Sequence, residues 1–598
     1  MQCATVPQHL GSSSDLVRPR RHNRSVRVAV VPGPGQSGLL HELNDDGTTR
    51  GRPVEARDLF EAIEKYERNT DLRWVWPSSA DLYPALLRAG VRVARCHDVA
   101  LTDALLAGRD GPAGRPTDAM DRLRTARARW RVPSGTATVQ QALFDAAQVG
   151  AASQEPDPAR TRDALDALIA VHADQLAAIA ADEHPARFGM LVAAESAGGL
   201  VAAEMSLAGL PWRPEVHDAL LTELLGPRPP AAGFAARSGA GLAARPPKLV
   251  ELAARIAAAF GTRGPVNPDS PAQLLRALAA DGIRLPSTRL AVLRDVDHPA
   301  IPPLLEYKEL SRLHSAFGWS WLDSWVTDGR FRPEYVVGGV VSGRWASHGG
   351  GALQIPRMLR RAVVADPGWV LVVADAAQLE PRVLAALAGD RAFAAAAAGG
   401  DLYAELAGAF GGDRAKAKVA MLSAMYGGAG GEAGQLLAVL RQRFPAAAGY
   451  VETAARAGEE GRVVRSVLGR TCPPPSASWR ALTEESADPD GTRDPRAGRA
   501  ARARGRFTRN FVVQASAADW ALVLLVGLRT ELAKLNKGTE LVFFQHDEVI
   551  VHCRAEQADA VVAAASRAAS DAARLVFGRT QVAFPLSTAV VDCYADAK

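Results

Sequence analysis

An α/β architecture in several domains follows from three features of the chain. Apolar strand-like runs alternate with amphipathic helical runs up to about residue 186, a long stretch after that is almost wholly helical, and strand-rich segments then return. In the first region VRVAVVPG, RWVWPSS and VRVARCHD read as strands, with DLFEAIEKYERN and SADLYPALLRAG as helices between them. From Arg187 to about Phe331 the clearest helices are LLRALAADGI and PLLEYKELSRLHSAF. Strands are expected again at YVVGGVVSGRW and LVVADAA, with helices from there to about Arg456. The last part reads as a helix around Ala517–Lys534, a strand pair in LVFFQHDEVIVHC, a helix from about Ala555 to Leu575 and closing strands. Residues 473–505, rich in proline, glycine and charge, are expected to form a mobile insertion.

The totals narrow the classes. At 598 residues the chain holds more than one core, and 48% hydrophobic with 23% charged residues is ordinary for a globular protein. The 70 basic and 65 acidic side chains nearly cancel, so the net charge of +5 permits a polyanionic partner without demanding one. Five cysteines, far apart, suggest neither a zinc site nor a disulfide framework. No run is expected to reach the ~18 apolar residues of a membrane helix. The first 25 residues carry basic groups without an apolar segment behind them, which reads as a disordered tail and not a secretory signal. A reducing, cytoplasmic setting follows from these points, with no membrane partner.

Three segments carry chemistry. In LVVADAAQLEPRVLAAL an apolar strand ends on Asp375, followed by Gln378, Glu380 and Arg382. In LVFFQHDEVIVHC two apolar runs flank His546, Asp547 and Glu548, a pattern for a turn at a sheet edge. Each carboxylate alone is as well explained by a cap or a turn. If the two strands are neighbours, however, the aspartates form a hard-cation site of few carboxylates, the kind completed by substrate phosphates. The third segment is GGDRAKAKVAMLSAMYGG, in which Arg414, Lys418, Leu422 and Tyr426 recur every fourth residue. Such steps drift only about 40° each on a helix, so the four share one stripe. Cation, cation, apolar and aromatic in that order suit phosphates at one end and a base at the other.

With these motifs quoted, the chain resembles the family A DNA polymerases, of the DNA polymerase I or Klenow type. Asp375, Gln378, Glu380 and Arg382 resemble that family's motif A. Arg414, Lys418, Tyr426 and Gly427 resemble its motif B, and His546-Asp547-Glu548 its motif C. Ser342-Gly343-Arg344 and Leu353-Gln354-Ile355-Pro356 resemble its segments before motif A, and Arg506, Asn510 and Gln514 a later helix. The resemblance spans residues 342–548 strongly and reaches back weakly to about residue 188.

The resemblance implies an RNase H-like α/β exonuclease-type domain at 26–186, degenerate here, and a right-hand polymerase domain at 187–598. Its thumb would take 187–334, its palm 335–400 and 505–598, and its fingers 401–504. It implies a template-directed DNA polymerase serving repair or replication, acting as a monomer on primer-template DNA and deoxynucleoside triphosphates in the bacterial nucleoid. Asp375, Asp547 and the backbone carbonyl of Ala376 would hold two magnesium ions, with Glu548 beside them. Arg414 and Lys418 would bind the triphosphate, Lys418 also giving a proton to pyrophosphate. Gln378, Glu380, Leu422, Tyr426 and His546 would line the nucleotide, Glu380 crowding the sugar 2′ position. Arg344, Gln354, Arg506, Asn510 and Gln514 would hold primer and template.

Departures matter equally. Ala376 and Ala377 replace the family's Tyr-Ser, Pro381 is tolerable only in a first helical turn, and Leu422 stands in an aromatic position. The first strand has no carboxylate from Val26 to Leu40, and Asp98 alone cannot hold two metals, so no proofreading is expected. GPGQSG matches a dinucleotide-binding pattern by letters, but Pro34 and the lack of a following helix suggest a turn. A 5′ nuclease domain has no room in this length. Two rivals stay open: a related RNA polymerase, against which Glu380 speaks, and a polymerase-shaped DNA-bridging protein whose catalysis has decayed.

Overall fold

The computed structural model describes residues 26–68, 72–111, 118–130, 158–229, 245–261, 266–398, 401–408, 411–427, 434, 438, 441–484, 495–535 and 538–597. The disordered tail expected at residues 1–25 lies outside the described residues. The chain divides into two compact units. One comprises residues up to 208, 335–346 and 372–590; the other comprises 209–334, 347–371 and 591–598.

The two larger sheets among the described residues lie chiefly in the first unit. Its N-terminal sheet contains β1 (Val26–Pro32), β2 (Gly38–Leu43), β3 (Val54–Ala56), β4 (Leu72–Trp76) and β5 (Cys96–Asp98) in the order β3-β2-β1-β4-β5. β1 runs antiparallel to β2 and parallel to β4, and β4 is parallel to β5. The run of β-branched residues in β1 suits a central strand covered on both faces, and Val28 to Val31 are fully buried. Val28 and Val30 pack with Leu59, Ile63, Leu82 and Leu86 on one face. Ala29 and Val31 pack with Leu123, Leu165 and Leu168 on the other. Strands β2 and β3 were not expected. The GPGQSG stretch is the turn between β1 and β2, closed by the Gly33 N–H donating to the Ser37 carbonyl at 2.8 Å. A strand follows it, so the dinucleotide pattern has no structural counterpart.

The second sheet consists of β6 (Trp369–Ala376), β7 (Thr539–Gln545), β8 (Glu548–Arg554) and β9 (Leu586–Val591), ordered β7-β8-β6-β9. β7 and β8 are an antiparallel hairpin in which Gln545 opposes Glu548, leaving His546 and Asp547 as a two-residue turn. Three helices matter most here: α1 (Pro185–Ala208), α2 (Arg414–Met425) and α3 (Pro495–Leu532). α3 corrects two expectations. Its 38 residues begin far ahead of Ala517, and its first turns are residues assigned above to a mobile insertion. Alanine and arginine are strong helix formers, so the 495–505 segment propagates the helix despite its charge. Residues 477–484 are also helical, and 485–494 lie outside the described residues.

α1 is built of small residues, and its adjacent glycines let it approach both neighbours. A Cβ on Gly198 would sit 2.8 Å from Leu522 of α3, and one on Gly199 would sit 3.0 Å from Ser79 beside the N-terminal sheet. Leu200 belongs to the N-terminal core itself. Glu204 then ties the two sides by charge. It accepts from Arg529 at 2.8 and 3.0 Å and from the hydroxyl of Tyr83, while Arg529 also donates to the carbonyls of Val93 and Ala94. α1 and α3 overturn one exclusion made above. Both are long and apolar enough to cross a membrane, yet 61% and 83% of their most apolar windows are buried, which marks them as core helices.

The second unit is chiefly helical, with helices Pro214–Leu225, Pro247–Ala259, Pro271–Ala280 and Ile301–Phe317. Its centre is an aromatic cluster of Trp212, Trp321, Phe317 and Phe331 around His217, whose Nε2 lies 2.9 Å from the Phe317 carbonyl. Burial pushes that ring down to about 4, so it is neutral at ordinary pH.

Candidate active site

The site forms where β6 ends. Asp375 is the penultimate residue of that strand, and the Ala376 N–H donates to the carbonyl of Asp547 at 3.0 Å. One backbone bond therefore stitches the strand end to the β7–β8 turn and makes the two aspartates neighbours. Both are partly exposed, while Glu548 behind them is buried. His546, exposed at the turn, has φ 59°, and Gln378, just beyond the strand, has φ 55°. Two non-glycine residues in the left-handed region flank the aspartates, a strained arrangement typical of functional sites.

Gln378 is spent on structure. Its amide donates to Asp401 Oδ1 at 2.6 Å and accepts from the Leu402 N–H at 2.9 Å. Asp401 caps the Leu402–Ala407 helix and also takes Arg414 Nε. Burial works against the charge of Asp401, but the bonds from Arg414, Ala404 and Gln378 outweigh it and hold its pKa below the usual carboxylate value. Arg414 further lies 5.7 Å from the ring centre of Tyr403. Asp401 and Tyr403 had no signal beyond a short acidic-aromatic run, and only the fold brings them to Arg414.

Glu380 is the most engaged side chain. One oxygen accepts from Arg344 and the other from the hydroxyl of Tyr426. Burial pushes its pKa up, and the Arg344 guanidinium offsets part of that. Arg344, assigned above to DNA, is thus paired within the protein. Pro381 sits in the first turn of the Leu379–Ala388 helix, where its missing N–H costs nothing. Arg382 is buried and donates to the carbonyls of Ala377, Ala397 and Ala583, locking the strand exit in place.

α2 presents the expected stripe. Arg414 and Lys418 are exposed, and Leu422 and Tyr426 are partly buried. Arg509 of α3 donates to the Met425 carbonyl at 3.0 Å, and a Cβ on Gly427 would lie 3.1 Å from Arg506. Along α3, Arg506 is exposed, Asn510 and Gln514 are partly buried, and the buried Oδ1 of Asn510 has no hydrogen-bond partner among the described residues. Arg499 and Arg502 lie exposed on the turns before Arg506. Gln354 is exposed on a short turn, Ala352–Gln354, of the second unit.

Among the described residues no group of three or more His, Cys, Asp or Glu side chains is placed to hold a metal. Two aspartates without a protein cage fit a magnesium ion that takes its other ligands from substrate phosphates and water.

Asp98 has a different fate. Its oxygens accept from the Ser79 N–H at 2.6 Å and the Leu101 N–H at 3.0 Å, and it is 1% exposed. It caps the Val99–Asp110 helix, so both oxygens are committed to backbone.

A strand-end aspartate pair on a four-stranded sheet, beside a cationic helix, defines a polymerase-type fold. The POL domain of Pol1 from M. smegmatis, solved in complex with DNA primer-template and dNTP, shares the fold at TM-score 0.65. The match is 20% identical and covers 96% of each chain. The model for DNA polymerase family A matches residues 246–591, and the chain belongs to that family. Among curated relatives, DNA polymerase I of Chloroflexus aurantiacus is 28% identical over 330 residues, covering 50% of this chain and 32% of that protein. The thermostable DNA polymerase I of Thermus aquaticus is 28% identical over 362 residues, covering 52% and 40%. The chain thus aligns with well under half the length of either relative.

Proposed function

We propose that the chain is a template-directed DNA polymerase that extends a primer 3′ end by two-metal phosphoryl transfer, without proofreading. The observation that carries the reading is the stitching of Asp375 to Asp547 by the Ala376–Asp547 backbone bond. Asp375, Asp547 and the Ala376 carbonyl would hold the magnesium ions, which when bound activate the primer hydroxyl and neutralise the departing pyrophosphate. Arg414 and Lys418 meet the triphosphate as fork and point charges; Arg414 exchanges its Asp401 partner for phosphate. Lys418 supplies a proton to the leaving group. Glu380, held from both sides, stands beneath the sugar and disfavours a 2′-hydroxyl. Tyr426 stacks beside the nascent pair. Arg506, Asn510, Gln514 and His546 follow the primer and template backbone and minor groove.

The commitment of Asp98 to backbone, the absence of a carboxylate on β1 and the filled sheet face above Ala29 and Val31 support the lack of proofreading. The primer-template and dNTP bound by the M. smegmatis domain support the same partners here. The experiment is single-nucleotide addition on four primed templates differing in the templating base, with a mismatched primer incubated without nucleotides. The reading expects incorporation of the complement only and no shortening of the mismatched primer. Binding without incorporation would favour a decayed bridging protein instead.

A further inference from the structure

Beneath the turn that carries Arg344 lies an ionic cluster that the chemistry above leaves unused. Arg470 is 7% exposed, between Glu195 at 3% and Asp519 at 0%. Its Nη2 donates to Glu195 Oε2 at 2.9 Å, Nη1 to Oε1 at 3.4 Å, and Nε to Asp519 Oδ1 at 3.4 Å. The three charges come from α1, a hairpin turn around residues 464–472 and α3. The hairpin is fastened to α3 by two more bonds, Leu468 N–H to Asp519 Oδ2 at 3.2 Å and Val467 N–H to Ser516 Oγ at 3.0 Å.

Stability alone does not explain such a cluster, because well-packed apolar residues usually serve a buried site as well or better. What it supports is the turn. Gly343 has φ +83°, and a Cβ there would overlap the Arg470 guanidinium; one on Gly338 would overlap the Glu195 carboxylate. The turn closes on itself through the Gly343 N–H to the Val340 carbonyl at 2.7 Å and the Val340 N–H to the Arg344 carbonyl at 3.1 Å. Its backbone therefore rests directly on the charged cluster. The next residue, Arg344, grips Glu380, whose other oxygen takes Tyr426.

We propose that Arg470, clamped by Glu195 and Asp519, is a positioning residue for sugar selection: it sets the height of the 338–344 turn and thereby the grip of Arg344 on Glu380. The proposal rests on the reading of Glu380 as the group that excludes a 2′-hydroxyl. The flat guanidinium spans two carboxylates and a backbone turn at once, which an ammonium cannot do.

The test compares kcat/KM for a deoxynucleotide and its ribonucleotide counterpart in the full chain. Variants are Arg470→Lys, Glu380→Ala and the double variant, each with a thermal unfolding curve. Arg470→Lys is expected to lower the deoxy-over-ribo ratio by about tenfold, chiefly through a lower ribonucleotide KM. The double variant should lose no more selectivity than Glu380→Ala alone. If Arg470→Lys fails to fold, Gly343→Ala lifts the same turn with the charges intact and is read the same way. A wild-type ratio in a folded Arg470→Lys or Gly343→Ala, with a reduced ratio in Glu380→Ala, overturns the proposal alone. An unchanged ratio in Glu380→Ala overturns the sugar-gate reading and the proposal with it.

Discussion

Replacing Asp98 by alanine separates a structural carboxylate from a metal ligand. In the fold this side chain accepts two backbone N–H groups, from Ser79 and Leu101, at 2.6 and 3.0 Å and at 1% exposure. A hydrogen bond to a charged acceptor contributes about 1.5–3 kcal/mol, so losing both costs roughly 3–5 kcal/mol. The Ser79 N–H would be left in a fully buried place without a partner. Asparagine keeps one acceptor oxygen and should lose about half as much. Thermal and urea unfolding of the wild type, Asp98→Ala and Asp98→Asn give the order directly. The mismatched-primer assay on the same samples should show no excision by any of them. An alanine variant within about 0.5 kcal/mol of the wild type would refute the reasoning, since that is the range of a residue holding nothing.

Other perturbations follow from the same contacts. His97 is held neutral by burial, with a pKa pushed down to about 4, facing Gln175, His172, Arg27 and Arg73. Unfolded, the ring titrates near 6.5, so the unfolded chain binds the extra proton between those values. Stability should fall as pH drops from 6.5 to 4, by about 1.4 kcal/mol per pH unit from this group, and His97→Gln should flatten a Tm–pH curve accordingly. Glu204→Ala strands Arg529 in a half-enclosed site between the N-terminal sheet and α3 and should cost about 3 kcal/mol, part of it recovered by pairing Glu204→Leu with Arg529→Met. Replacing Arg499 and Arg502 by serine should reduce the slope of log Kd for primer-template against log salt by about 1.8, if each guanidinium neutralises one phosphate. An unchanged slope would mean that this face of α3 meets only solvent.

The site was legible because its motifs are local. An apolar strand that ends on a carboxylate, a two-residue turn between apolar runs and a stripe at steps of four each leave a short-range signature, and each recurs in the fold. What escaped the sequence depends on contacts across long separations. Asp401 looks like an ordinary helix cap until Arg414 reaches it, and Arg470 looks like a surface arginine until Glu195 and Asp519 close on it. The 495–505 segment was misread because proline, glycine and charge suggest a loop, whereas its alanines and arginines extend a helix whose far end is buried. β2 and β3 escape the pattern because His41 and Glu42 break the apolar run of β2 and β3 has only three residues; β2 forms by pairing with β1, and β3 by pairing with β2. α1 reads as helical in the sequence, but the close approach of two neighbours at Gly198 and Gly199 depends on residues far away in the chain.

The most direct test of the central claim is magnesium-dependent primer extension by the wild type, Asp375→Ala and Asp547→Ala, with primer-template binding followed by fluorescence anisotropy on the same samples. The account predicts extension by the wild type that stops when magnesium is chelated and resumes when it is restored. It also predicts a loss of at least about a thousandfold in either variant at nearly unchanged binding. Extension that survives loss of either aspartate, or a wild type that binds primer-template and never extends it, would contradict the account.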